Sequence, residues 1–533
     1  MTFSEITSRF LPVNSGTPFQ VHEDDSLATP LVDGEEYFTA VRMAMGRATS
    51  SGDAIYFLGW RFDADFRFSL DPADNVRLGP VLAEKAATGV DVRLIMSAKW
   101  QLLDYLQAHT EKELGDERNN DLDNVLRWFG PAGNIGQGHA LRHLTVAGRT
   151  PLAGRVLFDY RGEVTGVHHQ KCVVIVRGDT VTAFLGGIDF LGDRLDTARH
   201  DSSLPRRNPT KPEDTLNYYW HDAGVMLEGS AAFDVLGVFL RRWEACSRQP
   251  NRRYQLKDGL NIQPALNPTI EASGLRAGKI TTPATRMKAA YVALNFPEHD
   301  AAGADPLDDS TASSYGTIHT VGVMYAKAIR AAHKYIYIED QYVAAPAALF
   351  PVLGDAIRRG VKVIAVLGGY DDDTQASVEP KVTGALGDFL TALGTASSGA
   401  RVFHVRETIV HSKLMVVDDK FFAIGSANFS DRSMSETTDT SALGNLLKNF
   451  NKKVGATDSE LHVGIVDDRP PEQNAALALR IRLWAEHLRV NQWDPATRAD
   501  LIDLSRALSI FSTAWGKPVR FSYPKSRLVP AAQ

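Results

Sequence analysis

The segment Val167-His168-His169-Gln170-Lys171-Cys172-Val173-Val174-Ile175-Val176 returns in outline as Val410-His411-Ser412-Lys413-Leu414-Met415-Val416-Val417-Asp418. Each copy is a His-x-Lys followed at once by an apolar, largely β-branched run, which reads as a buried strand. Each then reaches a small-residue turn, Gly186-Gly187-Ile188-Asp189 in one and Gly425-Ser426-Ala427-Asn428 in the other. Residues i and i+2 of a strand share a face, so His169 and Lys171 point the same way, as do His411 and Lys413. A duplicated phrase with ionisable groups in both copies predicts two halves that each supply one imidazole and one ammonium to a single site.

The duplication extends outward from these phrases. Ala54–Trp60 and Tyr335–Tyr342 read as buried strands, each preceded by a helical pattern: Tyr37, Phe38, Val41 and Met45 before one, Val323, Ala326, Ile329 and Ala332 before the other. A further strand follows a glycine in each half, Val90–Ile95 after Gly89 and Val361–Val366 after Gly360. Alternation of this kind predicts an α/β fold of two similar lobes, each a mixed sheet flanked by helices. The boundary falls within 250–285, where Pro250 to Arg253 follow a predicted helix over Phe233–Arg248; dividing there gives lobes of residues 1–265 and 266–533. Residues 197–219 read as a loop and 296–316 as a linker. Residues 433–457 form an insertion with an apolar helical piece, Leu443 to Phe450. It reads equally as a lid over a site or as a surface excursion without a role.

A chain of 533 residues suits two cores, and 44% apolar with 23% charged residues is the balance of a globular protein. No apolar run approaches the roughly 18 residues of a membrane span. Met1 to Glu5 lack the basic start and apolar continuation of a signal peptide. The expected location is therefore the cytoplasm, or the outside by export without a recognisable signal. Two cysteines, Cys172 and Cys246, exclude a disulfide framework or a multi-cysteine metal site. A net charge of −6 speaks against nucleic acid as a partner and requires a local positive site for any anionic substrate.

Two imidazoles and two ammoniums around one cavity suit a phosphodiester. Lysines neutralise the phosphoryl oxygens, one neutral histidine attacks phosphorus, and the other, protonated, serves the leaving oxygen. Each histidine needs a carboxylate to fix its tautomer, and Asp196 and Glu460 are the candidates. Ser426 and Asn428 are placed to donate to phosphate oxygens, while Gly186, Gly187 and Gly425 would let backbone approach a ligand. A zinc site built on His168, His169 and Cys172 is disfavoured by the lysine beside each histidine. No Gly-x-Ser-x-Gly elbow and no Walker A sequence occur. Neither a metal nor a cofactor is expected.

The pattern His411-x-Lys413-x4-Asp418-x6-Gly425-Ser426-x-Asn428 resembles the motif of the phospholipase D superfamily in full. Gly186 through Asp196, Trp220-His221-Asp222, Leu227-Glu228-Gly229, Arg242-Trp243, Tyr337 to Tyr342, Asp431 to Met434 and Asp458-Ser459-Glu460 resemble further segments of its plant, animal and related bacterial members, so that the likeness runs from about Asp33 to about Trp484. The resemblance implies two similar α/β lobes with the active site at their interface and no metal in the chemical step. It makes His169 the nucleophile that becomes phosphohistidine and His411 the general acid, then base. It gives Lys171, Lys413 and Asn428 to phosphate binding and Asp418 to a structural role. Ser426, Gly187 and Asp189 complete the substrate-binding candidates, Asp189 standing where the second copy has Asn428. The chain departs from the pattern at Val176, which replaces the first motif's aspartate, with Asp179 three residues on. Only about 30 residues precede the first lobe, so plant-type regulatory modules are not expected.

The expected activity is hydrolysis of the distal phosphodiester of a glycerophospholipid to phosphatidic acid and an alcohol, with transphosphatidylation when another alcohol replaces water. The partner is a phospholipid at a membrane surface met by peripheral contact, with Phe190, Phe429 and Leu443 to Phe450 at the entrance. Two lobes in one chain make a monomer sufficient. The rival readings are a nuclease or other phosphodiesterase of the same superfamily, an exported lipase effector, and a catalytically silent phospholipid-binding protein.

Overall fold

The computed structural model describes residues 2–12, 19–71, 73–97, 151–152, 155–159, 167–200, 220–247, 288–296, 318–341, 349–368, 399–405, 408–434, 457–513 and 528–530. The strands, in chain order, are β1 (His22–Glu23), β2 (Ser26–Val32), β3 (Ala54–Gly59), β4 (Asp91–Ser97), β5 (Val156–Asp159), β6 (Cys172–Arg177), β7 (Thr180–Gly186), β8 (Trp220–His221), β9 (Ala223–Gly229) and β10 (Lys288–Phe296). They continue as β11 (Ile318–His319), β12 (Tyr335–Asp340), β13 (Lys362–Gly368), β14 (Ala400–Val405), β15 (Ile409–Val410), β16 (Lys413–Val417), β17 (Phe421–Gly425), β18 (Glu460–Asp467) and β19 (Leu528–Pro530).

One sheet runs β2-β9-β7-β6-β3-β4-β5, and within the other the order β10-β18-β17-β16-β12-β13-β14 repeats it strand for strand. Only β3–β4–β5 and β12–β13–β14 are parallel; the remaining pairs in each order are antiparallel. Burial on both faces explains why β3 reads as an unbroken apolar run and β12 as one up to Ile338: all six residues of each strand are buried, Glu339 and Asp340 included. Helices Asp33–Arg47, Leu78–Ala87 and Ser230–Ser247 flank the first sheet, and Thr320–Ala331, Leu349–Arg358 and Ala475–Leu488 the second. The fold is therefore the α/β pair of similar, mixed-sheet lobes that the repeat predicts.

The N-terminal segment departs from the division at 265. Helix Phe3–Phe10, closed at its start by a Thr2–Glu5 capping box, stacks Phe10 on Phe421 with ring centroids 5.4 Å apart. β1 then adds to β10, at the edge of the second sheet. The chain begins on the second lobe and crosses to the first at β2, which covers a sheet edge and the apolar face of the helix together.

The His-x-Lys phrases lie where β6 and β16 begin, beside the carboxyl ends of β3 and β12, the end of a parallel sheet where ligands usually sit. Each phrase is bonded to the opposite lobe. β15 pairs with β8, and the His411 N–H donates to the His221 carbonyl at 2.7 Å. His168 bridges to Ser459, and the His169 N–H donates to the Ser459 carbonyl at 2.9 Å.

The Val176 departure is offset within its own lobe. Asp418 accepts from the backbone N–H groups of His333, Lys334 and Tyr335 at 2.7–2.9 Å, which ties the end of β16 to the start of β12. Val176 cannot do this. Instead Asp53, at the start of β3, accepts from Thr49 and Ser50 N–H at 2.7 and 3.0 Å and from Gly178 N–H in the β6–β7 turn, and these bonds hold its carboxyl below the usual range. The same two strands are fastened from the other side. No helix among the described residues is long and apolar enough to cross a membrane.

If Asp53 carries this role, Asp53→Ala and Asp418→Ala should each lower unfolding stability by about 1–3 kcal/mol, read as a shift in the urea midpoint. A neutral Asp53→Ala would contradict the assignment.

Candidate active site

Two imidazoles stand at the junction of the lobes, each held by a carboxylate of the other half. His169 Nδ1 lies 3.1 Å from both carboxylate oxygens of Glu460, the first residue of β18. His411 Nδ1 lies 2.7 Å from Asp222 Oδ2, between β8 and β9. Fixing Nδ1 leaves Nε2 of each ring for chemistry. The middle residues of the two phrases face away: Gln170 Nε2 donates to the Glu460 carbonyl at 3.1 Å and Ser412 Oγ to Glu339 at 2.8 Å.

The lysines are buried. Lys171 Nζ donates to the His169 carbonyl at 2.9 Å and sits 3.4 Å from Asp189 Oδ2; Lys413 Nζ donates to the His411 carbonyl at 2.5 Å. Burial lowers the Lys413 ammonium to about 8. His169 is held well below the ordinary imidazole value by burial and then by Lys171 and Lys413. His411 is held there by burial and then by Lys413, Arg194 and Lys171, with a further push from His169. Each histidine thus responds to charges from the other half, as members of one electrostatic cluster. Burial also raises Glu460 and Asp222, each to about 7. These shifts favour neutral imidazoles at the site.

Asp196, read from sequence as a histidine-fixing carboxylate, is not at either motif histidine. Its Oδ2 lies 2.5 Å from His200 Nδ1 and its Oδ1 accepts from Thr197 N–H. The correct partner of His411 is Asp222, which stands just before β9 at the position that Glu460 holds on β18. The pairings Gly186–Gly224 and Gly425–His462 set that correspondence. Gly187 makes room for it: a Cβ there would fall 2.4 Å from Asp222 Oδ1. Ser426, its counterpart, fills that space with a hydroxyl that donates to Glu460 at 2.5 Å, joined by Ser433 at 2.7 Å. Gly187 and Ser426 therefore act on the carboxylates that hold the histidines. Asp189 likewise braces: its Oδ1 accepts from Trp60 and Arg61 N–H at 3.1 Å. Asn428 is buried two residues beyond Ser426.

Phe190 and Phe429 do not line an entrance. Phe190 is 4% exposed, packed among Phe38, Phe57 and Phe66, and Phe429 is fully buried against Tyr325. Leu443 to Phe450 lie outside the described residues. The aromatic groups at the site are two tryptophans. Trp60 meets the His169 ring at 5.8 Å and Trp220 the His411 ring at 4.6 Å, with the Arg194 guanidinium 3.1 Å from the Trp220 ring centre. Both are partly exposed. Sequence reading did not assign Asp222, Trp60, Trp220 or Arg194 to the site. Laying β9 on β18 would have found Asp222.

Family comparison matches residues 48–350 and 391–502 to the family described as phospholipase D, and residues 325–445 to a cardiolipin synthase, PLD-like domain. Among curated relatives, phospholipase D delta of Arabidopsis thaliana is 25% identical over 472 positions, covering 67% of this chain and 51% of the relative. Phospholipase D alpha 1 of Ricinus communis is 24% identical over 562 positions, covering 83% and 62%. The chain spans about half to two thirds of the length of these relatives. A phosphatidylserine synthase from Haemophilus influenzae Rd KW20 aligns over 96% of this chain and 99% of its own, at 13% identity and a TM-score of 0.49.

In the ligand-free protein both motif imidazoles should stay neutral at pH 6.5 and below, as read by histidine-selective 15N NMR, and Lys413→Met should raise the pKa of His411. A His411 pKa at or above 6.5 in the unmodified chain would contradict this electrostatic reading.

Proposed function

The chain belongs to the phospholipase D family, and we propose that it works as a phospholipase D, cleaving the distal phosphodiester of a glycerophospholipid to phosphatidic acid and a free alcohol. The observation that carries this reading is the pair of imidazoles with Nδ1 occupied, each beside a buried ammonium. That arrangement suits two-step phosphoryl transfer. His169 Nε2 attacks phosphorus as the bond to the head-group oxygen breaks, and His411 Nε2–H gives that oxygen its proton. His411, now neutral, takes a proton from water as the water oxygen attacks the phosphohistidine and the P–N bond breaks. Phosphatidic acid leaves and both rings return to their starting states.

The electrostatics support this order of events. Burial first, and then the nearby lysines and Arg194, disfavour an imidazolium at His411. A phosphodiester monoanion offsets those charges, so substrate arrival itself allows His411 to hold the proton that it must donate. The nucleophile is assigned to His169 by family resemblance, since the two halves offer nearly the same chemistry. Lys171, Lys413 and Asn428 would hold the phosphoryl oxygens, and the partly exposed Trp60 and Trp220 would flank the phosphate on its way in. A primary alcohol able to reach the intermediate would replace water and give the transphosphatidylated lipid. The net charge of −6 weighs against a polyanionic nucleic acid as substrate.

Phosphatidylcholine vesicles should be hydrolysed and single-stranded DNA left intact, and ethanol should divert product to phosphatidylethanol. His169→Ala and His411→Ala should each lower turnover by at least about 10³-fold with an unchanged circular-dichroism spectrum. Cleavage of DNA but not of vesicles would replace this reading with that of a nuclease. Substantial turnover by His169→Ala would remove the nucleophile assignment.

A further inference from the structure

Next to His411, reached through the His221 carbonyl that bonds it, a second cluster of ligating groups is buried between the lobes. Asp33, at the start of helix Asp33–Arg47, His200, beyond the turn at Gly192–Arg194, and His221 of β8 come from the first half. Glu486 comes from helix Ala475–Leu488 of the second. One ligand atom from each lies within 4.8 Å of every other. His221 Nδ1 is 2.9 Å from both Asp33 Oδ1 and Glu486 Oε1, while His200 Nε2 is 2.9 Å from Glu486 Oε1 and 3.9 Å from Asp33 Oδ1. Ligands about 2.0–2.1 Å from a tetrahedral ion stand about 3.3 Å apart, in the middle of that spread.

The outer side of the cluster fixes what the inner side offers. His200 Nδ1 is bonded to Asp196 at 2.5 Å and His221 Nε2 to Glu339 at 3.1 Å. A carboxylate on the far nitrogen of a histidine is the usual support of a metal ligand, because it places the N–H outward and the lone pair inward. Both inward nitrogens then face carboxylate oxygens, an array of four acceptors that requires a cation or two added protons at its centre. Moreover, Asp33 Oδ2 and Glu486 Oε2 are buried with no hydrogen-bond partner among the described residues. Protonating the histidines leaves those oxygens unsatisfied, whereas an ion can draw on either oxygen of each carboxylate.

We propose that Asp33, His200, His221 and Glu486 bind one divalent first-row transition ion, with Zn²⁺ the best match to two imidazoles and two carboxylates in a closed, four-ligand site. The role is structural. The ion clips helix Ala475–Leu488 to the first lobe and anchors the segment that orients His411: the His221 carbonyl accepts the His411 N–H at 2.7 Å, and the Asp222 carbonyl accepts the Asp33 N–H at 2.8 Å. Asp196 serves here as the support of His200.

The test uses the full chain, purified without a histidine tag, incubated separately with ZnCl₂ and MnCl₂ and freed of loose ion by gel filtration. Mass spectrometry should find about one Zn²⁺ retained per chain, and X-ray absorption should show imidazole nitrogen and carboxylate oxygen at about 2.0–2.1 Å. Dialysis against a strong chelator should remove the ion and lower the melting temperature, and His200→Ala and Glu486→Gln should each abolish retention. Less than about 0.2 ion per unmodified chain with either metal would overturn the proposal in favour of a protonated histidine–carboxylate network. Retention undiminished in a folded variant, or a metal spectrum without imidazole, would overturn it as well.

Discussion

Each half of this protein lends the other the carboxylate that its histidine needs. Glu460 of the second half holds His169 of the first, and Asp222 of the first half holds His411 of the second. The backbone repeats the exchange, since each His-x-Lys phrase is hydrogen-bonded through its histidine N–H to the residue just before the borrowed carboxylate. Neither motif histidine takes its carboxylate from its own half. The close apposition of the sheets is therefore a condition for chemistry, and substitutions that loosen the lobe interface should act on both histidines together.

Burial does the rest. Near solvent, the two lysines would be screened and the imidazoles would titrate near their ordinary value. In the interior, loss of solvent drives the rings neutral, with the lysines and Arg194 adding to the effect, and it pushes Glu460 and Asp222 up to about 7 against the opposing pull of the same cations. Under the proposed function such a site is poised for an anion, whose arrival would offset the nearby cations and redistribute the protons. Ser426 and Ser433 stabilise the ionised form of Glu460, whereas Asp222 draws on Ala223 N–H, Lys413 and Arg194. The two pairs are thus alike in plan and different in tuning.

Much of this was legible in the sequence because the signal was duplicated. Val173 to Val176 and Leu414 to Val417 mark central strands by composition alone, and their common prefix brings His169, Lys171, His411 and Lys413 to one junction. Glu460 was readable from its short Asp458-Ser459-Glu460 context. Asp222 was readable only by laying β9 on β18, because its counterpart is a glutamate and spacing alone cannot separate it from Asp196. That residue follows the Gly-Gly turn closely, but its chain turns back to His200 instead. Phe190 and Phe429 misled for a related reason: a phenylalanine after a motif turn looks the same whether it faces a cavity or the core, and here the core claims both. Asp53 could not be read as a replacement for the missing motif aspartate, since it lies in a different strand. The crossing of residues 2–23 to the second sheet likewise depends on tertiary packing.

The central claim is that one phosphorus passes through a covalent bond to His169 while His411 moves protons. Acid quench of the enzyme during turnover of a phospholipid labelled with ³²P at phosphorus, followed by peptide mapping under alkaline conditions, tests it most directly. The account predicts label on the peptide that contains His169, loss of that label in His169→Asn, and retention on His169 in His411→Asn when the substrate carries a leaving group that needs no proton. Turnover without a labelled histidine peptide in any of these chains, or label that maps to His411, would contradict it.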